Sequence, residues 1–209
     1  MKLILVRHGE TDWLKERRYQ GSTDVPLNPK GLKQARALAR FLKHTRPAAI
    51  YISELKRTLQ TAQPLLKIVK QKPCVEARLN EISFGRWEGY SYAEVEHLYG
   101  EAVRRWYTPK RSSKPHGGES FKSLDLRTGL FLEDLMKKHK NAENPCIIIA
   151  HGGPIRMILV RLFYWPMKTF WDIRIDPASI SVVDIHRERN EIMLLNGQGH
   201  LKKLTSFNS

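Results

Sequence analysis

Short apolar stretches alternate along the chain with longer stretches of helical periodicity. The apolar stretches are Leu3–Val6, Ala48–Ile52 and Cys146–Ala150, each rich in Ile, Leu or Val and each followed by polar or glycine-containing sequence. Continuous apolar runs of this length are typical of strands that are buried on both faces of a parallel sheet. The pattern therefore predicts three central strands.

Helical patterns occupy the segments around these strands. The first begins at Asn28, a residue that caps free amide groups, and continues with Pro29, which fits the first helical position. Apolar residues then recur on one face up to Leu42. Further helical patterns cover Leu55–Val69, with a bend expected at Pro64, and Tyr92–Tyr107, Ser120–Lys138 and Pro154–Tyr164.

The C-terminal part of the chain predicts a β-hairpin. Ile180–Ile185 and Ile192–Leu195 are apolar, and six polar residues separate them. Strands that alternate with helices favour a three-layer α/β/α sandwich with a mostly parallel sheet, and the hairpin adds an antiparallel edge. The linker-like stretch 108–120 has no complete set of elements on either side, so we expect a single domain over residues 1–209.

The composition changes this picture mainly through charge. Thirty-six Lys and Arg residues against 21 Asp and Glu residues give a formal net charge of +15, which favours an anionic partner such as a phosphorylated metabolite, nucleic acid or an acidic membrane. Cys74 and Cys146 lie in or beside apolar runs and predict two buried free thiols. No apolar run approaches the roughly 20 residues of a membrane span, so we expect a cytoplasmic protein.

Arginine or histidine side chains follow all three predicted central strands. Arg7 and His8 come directly after the first, Arg57 follows the second at the start of a helix, and His151 follows the third. Because the carboxyl ends of parallel strands meet at one edge of a sheet, we expect these side chains to converge. Guanidinium groups and helix N-termini bind phosphate well, so the pattern predicts a phosphate pocket.

A phosphate pocket becomes catalytic when it contains a nucleophile and an acid. A neutral imidazole can attack phosphorus while arginine stays protonated, which makes His8 the candidate nucleophile. An alcohol leaving group needs a proton, and Glu81, flanked by apolar and aromatic residues, is the candidate donor.

Leu5–Thr11 resembles the signature of the histidine phosphatase superfamily, also called the phosphoglycerate mutase-like family. Five further blocks match in order: residues 19–27, Ser53–Ala62, Leu79–Gly89, Gly117–Ser120 and Ala150–Arg156. The resemblance implies a phosphohistidine on His8, phosphate held by Arg7, Arg57 and His151, Glu81 as acid and then base, and neither metal nor cofactor. Gln20, Gly21 and Gly152 are further candidate substrate-binding residues.

Within the superfamily the chain resembles the phosphatase branch, because the path from Gly89 to Gly117 is too short for the insertion of the mutases. It resembles the alpha-ribazole phosphatases in Phe170–Ile175 and Ser179–Ile185, which makes alpha-ribazole 5′-phosphate a candidate substrate. We expect a small phosphomonoester as partner, with no specific nucleic acid and no membrane. The alternatives are mutase-type phosphoryl transfer and an inactive basic binding protein. Leu14 stands where the family commonly has Asn, which removes one donor to the phosphate.

Overall fold

Within the residues described by this computed structural model, 1–186 and 188–202, six strands form one sheet. The strands are β1 (Lys2–Arg7), β2 (Ala49–Ile52), β3 (Cys74–Val75), β4 (Cys146–Ala150), β5 (Ile180–Asp184) and β6 (Glu191–Gly197). They lie side by side in the order β3-β2-β4-β1-β5-β6. The first four in this order pair in parallel, and β5 and β6 are antiparallel. Residue 187, in the predicted hairpin turn, and residues 203–209 lie outside the described residues.

Helices cover both faces of the sheet. They are α1 (Asp12–Lys15), α2 (Pro29–Phe41), α3 (Lys56–Val69), α4 (Tyr92–Tyr107), α5 (Phe121–Lys138) and α6 (Gly152–Leu162). Side chains of β1 alternate between two cores: Leu3 and Leu5 pack with residues of α5 and α6, whereas Ile4 and Val6 pack with residues of α2 and α3. The predicted three-layer sandwich with a mostly parallel sheet and an antiparallel edge is confirmed.

The last predicted helix differs from the observed helix α6 at both ends. This helix begins at Gly152 instead of Pro154. It ends at Leu162 because Tyr164, two residues later, has a left-handed backbone with φ of 52°.

The prediction of two buried thiols is wrong for Cys74, which is half-buried because β3 is an edge strand of two residues. Among the described helices, none is long and apolar enough to span a bilayer.

Candidate active site

The carboxyl ends of three neighbouring strands carry the candidate active site. Arg7 pairs with Ala150 across β1 and β4, so the next residues, His8 and His151, stand side by side with ring centroids 5.0 Å apart. β2 lies on the other side of β4, and α3 follows it with Arg57 in its first turn. The Arg57 Nε donates to His151 Nδ1 at 3.2 Å, which joins the three elements.

A cavity of about 130 Å³ opens at this edge of the sheet. Of the residues predicted from the sequence, Arg7, His8, Arg57, Glu81, Gln20, Gly21 and Gly152 line it, as does Leu14. His151 is fully buried and is not among the lining residues, but it contacts His8 and Arg57, which do line the cavity. The remaining wall is largely aromatic and contains Tyr19, Phe84, Tyr92, Tyr107 and Trp171.

His8 is held in the form that a nucleophile requires. Its Nδ1 lies 2.7 Å from the Gly9 carbonyl oxygen, which can only accept, so Nδ1 carries the hydrogen and Nε2 carries the free lone pair. Burial, together with the charges of Arg57 and Arg7, holds the pKa of His8 well below its ordinary value of 6.5. The imidazole is therefore neutral at physiological pH, with Nε2 available for attack.

His151 ends a chain of hydrogen bonds through two hydroxyl groups. Because Arg57 donates to Nδ1, the hydrogen of the neutral ring is on Nε2, which lies 2.7 Å from Ser53 Oγ. Ser53 Oγ lies 2.9 Å from Thr58 Oγ1, which donates to the Leu55 carbonyl oxygen at 2.8 Å. Since a hydroxyl can donate or accept, this chain also accommodates the opposite tautomer, in which the hydrogen is on Nδ1.

The two arginines are fixed by backbone carbonyl oxygens. Arg57 donates through Nη1 to Thr23 at 2.8 Å and through Nη2 to Gly21 at 2.7 Å, and Arg7 donates through Nη1 to Ile175 at 2.6 Å. Burial lowers the pKa of Arg57 to about 10, so the guanidinium remains protonated at neutral pH. Arg7 Nε is buried and has no hydrogen-bond partner among the described residues. These groups form a preorganised positive site for an anion.

Glu81 is positioned so that one carboxyl oxygen stays free. Its Oε1 accepts from the backbone N–H of Ile82 at 2.9 Å and of Gly153 at 3.0 Å, whereas Oε2 has no partner among the described residues. A β-carbon at position 153 would collide with Oε1, so this approach requires glycine there. The free Oε2 is the atom that can carry and transfer a proton.

Glu88 organises one wall of the cavity, and the sequence analysis did not predict this role. Its carboxylate accepts hydrogen bonds from Ser22, Thr23, Ser83 and Phe84, which ties two loops together. Burial raises the pKa of the Glu88 carboxyl, but the hydrogen bonds outweigh burial and the net shift is downward. No local pattern could reveal this residue, because its partners in the 22–23 loop lie 65 and 66 positions away.

Leu14 presents an apolar side chain to the cavity, where the sequence analysis noted a missing donor. Gln20 also lines this wall, and its side-chain Nε2 donates to the Thr11 hydroxyl, which in turn accepts from the Leu14 backbone N–H. Over the residues that the structure describes, no group of three or more His, Cys, Asp or Glu side chains is arranged to hold a metal ion.

The two buried histidines make the stability of the protein depend on pH. Burial and nearby Arg57 hold the pKa values of both His8 and His151 well below 6.5 in the folded state, whereas the unfolded chain binds protons with ordinary values. As the pH falls below 6.5, the unfolded chain gains up to two protons that the folded chain does not. We therefore expect these two histidines to lower the free energy of unfolding by about 3 kcal/mol between pH 7.5 and 5.5.

Urea unfolding at these two pH values measures this loss, in buffers without phosphate because a bound anion would stabilise the folded state. His151→Gln removes one of these two titrating groups and should make the loss smaller by about 1.4 kcal/mol. His44→Gln, at an exposed position on the protein surface, is the matched control and should leave it unchanged. An unchanged loss in His151→Gln would show that His151 titrates normally in the folded protein.

The fold and the pocket at the strand ends match one protein family. The profile of the histidine phosphatase superfamily, branch 1, matches residues 3–198. The chain belongs to this superfamily, which confirms the resemblance seen in its sequence blocks. It is an enzyme of the histidine phosphatase class.

The relatives that this chain resembles over nearly its full length are named for different substrates. The chain is 37% identical over 201 residues to phosphoserine phosphatase 1 of Hydrogenobacter thermophilus, covering 96% of this chain and 94% of the relative. It is 30% identical over 201 residues to adenosylcobalamin/alpha-ribazole phosphatase of Salmonella typhimurium, covering 95% and 97%. The structure of alpha-ribazole phosphatase from Shigella flexneri superposes with a TM-score of 0.84 at 27% identity, covering 94% and 96%.

Proposed function

We propose that the protein is a metal-independent phosphomonoesterase that acts on a small phosphorylated metabolite through a phosphohistidine on His8. The observation that carries this proposal is the state of His8: Nδ1 is held by the Gly9 carbonyl oxygen, and the neutral ring offers Nε2 beside two fixed guanidinium groups. We also propose a cytoplasmic location, which the free thiols of Cys74 and Cys146 favour because thiols persist in reducing compartments.

The first step transfers the phosphoryl group to the enzyme. His8 Nε2 attacks phosphorus, a nitrogen–phosphorus bond forms, and the bond from phosphorus to the alcohol oxygen breaks. Glu81 Oε2 gives its proton to the departing oxygen. Arg7 and Arg57 neutralise the phosphoryl oxygens, and the Gly9 carbonyl oxygen stabilises the positive charge that develops on the His8 ring.

The second step releases inorganic phosphate. Water attacks the phosphorus of phosphohistidine, and Glu81, now a carboxylate, accepts the proton of that water. The nitrogen–phosphorus bond breaks and His8 returns to its neutral form with the hydrogen on Nδ1. The enzyme is restored, so the two steps together consume one water molecule per phosphomonoester.

The size of the cavity bears on the choice of substrate. Its volume of about 130 Å³ lies well below the roughly 300–1,000 Å³ of pockets that enclose larger ligands. Alpha-ribazole 5′-phosphate is the candidate from the resemblance, and its nucleoside part would extend beyond the enclosed volume. A compact ester such as phosphoserine, named in a relative, fits the volume better. We therefore propose a compact phosphomonoester as the preferred substrate.

Release of inorganic phosphate tests the proposed function. The purified protein is incubated with EDTA and a panel of phosphoserine, 3-phosphoglycerate, sugar phosphates and alpha-ribazole 5′-phosphate. We expect stoichiometric release of phosphate and alcohol, with the compact esters turned over fastest. Isomerisation of 3-phosphoglycerate without phosphate release would establish a mutase. No turnover combined with tight nucleic-acid binding at physiological salt would establish an inactive binding protein.

A further inference from the structure

Arg156 contributes a guanidinium to the cavity that the phosphate chemistry above does not use. It lies on α6, one helical turn after Gly152, and both residues line the cavity. Its Nε donates to the Ile173 carbonyl oxygen at 2.8 Å. In the part of the chain that the structure describes, neither terminal nitrogen of Arg156 has a hydrogen-bond acceptor or a carboxylate partner. Burial lowers the pKa of Arg156 to about 10, so the unpaired group is still a cation at neutral pH.

The position of this cation is fixed by two aromatic rings. The Arg156 Cζ lies 5.5 Å from the ring centroid of Trp171 and 6.0 Å from that of Phe170. The backbone contact to Ile173 fixes the group from a third direction. A side chain held in this way loses little conformational freedom when it binds an anion, so it is preorganised for recognition.

Arg156 also lies beside Arg7. A β-carbon on Gly152 would lie 2.8 Å from Arg156 Nη1 and 3.7 Å from Arg7 Cζ, so both guanidinium groups border the same point of the cavity. Both guanidinium groups donate hydrogen bonds to backbone carbonyl oxygens of one short segment, Arg156 to Ile173 and Arg7 to Ile175. The two neighbouring positive charges repel each other, and an anionic ligand that contacts both guanidinium groups would relieve the repulsion.

We propose that Arg156 binds a carboxylate of the substrate, so that the enzyme prefers phosphomonoesters that carry a carboxylate a few bonds from the phosphate. This inference depends on the proposed phosphatase function and narrows its substrate class. A planar guanidinium binds a carboxylate in a two-pronged arrangement. A carboxylate also suits the available space better than a second phosphate, because it is the smaller anion and the cavity measures only about 130 Å³.

A matched substrate pair isolates the carboxylate. O-phosphoserine and O-phosphoethanolamine share the phosphate ester and the amine and differ only in the carboxylate. We expect kcat/KM of the unmodified protein to favour phosphoserine by about 10- to 100-fold, the range of one charge-assisted contact. Arg156→Met should bring this ratio close to one, and Arg156→Lys, which keeps the charge but loses the planar group, should give an intermediate ratio.

The control variant is Arg36→Met, which removes one positive charge from the exposed face of α2 and should leave the ratio unchanged. Equal kcat/KM values of the unmodified protein for both esters would overturn the inference even if no variant folds. A loss of kcat/KM in Arg156→Met that is the same for both esters would also overturn it, since Arg156 would then only stabilise the structure of the cavity wall. Absence of turnover of every ester by the unmodified protein would instead contradict the proposed function.

Discussion

His8→Ala is expected to lower kcat for every phosphomonoester by at least about 10⁴-fold, the order of the loss when a catalytic nucleophile is removed. Alanine has no lone pair to attack phosphorus, and the neighbouring His151 is fully buried with both ring nitrogens engaged. Labelling with a ³²P-phosphomonoester followed by rapid quenching measures the intermediate directly. The unmodified protein should carry a label that is stable to base and labile to acid, and His8→Ala should carry none.

Two controls separate loss of the nucleophile from loss of the fold. His8→Ala leaves Arg7 and Arg57 in place, so inorganic phosphate should still bind and calorimetry can measure this binding. His44→Ala, at an exposed position, should turn over and label like the unmodified protein. If His8→Ala hydrolysed p-nitrophenyl phosphate at a rate near that of the unmodified protein, His8 would not be the nucleophile.

The sequence was most informative where a functional residue comes directly after a buried strand. The runs that end before His8 and His151 predict strands, and parallel pairing then brings the two histidines together without further information. The register of Arg7 opposite Ala150 is the reason this simple inference succeeds. Arg57 follows the same logic, since it lies in the first turn of the helix after β2.

Residues that depend on long-range packing were beyond this reasoning. Arg156 acquires its position only when α6 packs against the segment that contains Ile173 and Trp171. The aromatic wall likewise combines α4 with distant loops, because Tyr107 hydrogen-bonds to Tyr19 with the hydroxyl oxygens 3.0 Å apart. β3 has only two residues, too few for any periodicity to appear.

Glu81→Gln is expected to lower hydrolysis of alkyl phosphates such as phosphoserine by about 10²- to 10⁴-fold, the usual contribution of general acid–base catalysis. The glutamine oxygen can still accept from Ile82 and Gly153, so the substitution preserves the local backbone contacts. It replaces the free Oε2 with an amide nitrogen that has no proton to transfer at neutral pH. The matched control is Glu133→Gln on the exposed face of α5, which should behave like the unmodified protein.

The leaving group distinguishes the two roles of Glu81. An alkyl alcohol leaves only when it receives a proton, whereas nitrophenolate leaves without help. With p-nitrophenyl phosphate, Glu81→Gln should therefore form phosphohistidine at a rate close to that of the unmodified protein and then accumulate it, because no base activates water. Rapid-quench measurements should show a burst of nitrophenolate close to one per active site, followed by a slow steady state.

Equal losses on both substrate classes, without accumulation of phosphohistidine, would remove Glu81 from proton transfer. Glu88 and Glu119 would then be the next carboxylates to test, but neither has an oxygen as free as Glu81 Oε2. Arg127 holds both oxygens of Glu119, at 2.7 and 2.8 Å, and the loop contacts of Glu88 occupy both of its oxygens. Because an acid must release and recover a proton in every turnover, the free Oε2 beside the cavity makes Glu81 the carboxyl group best suited to this role.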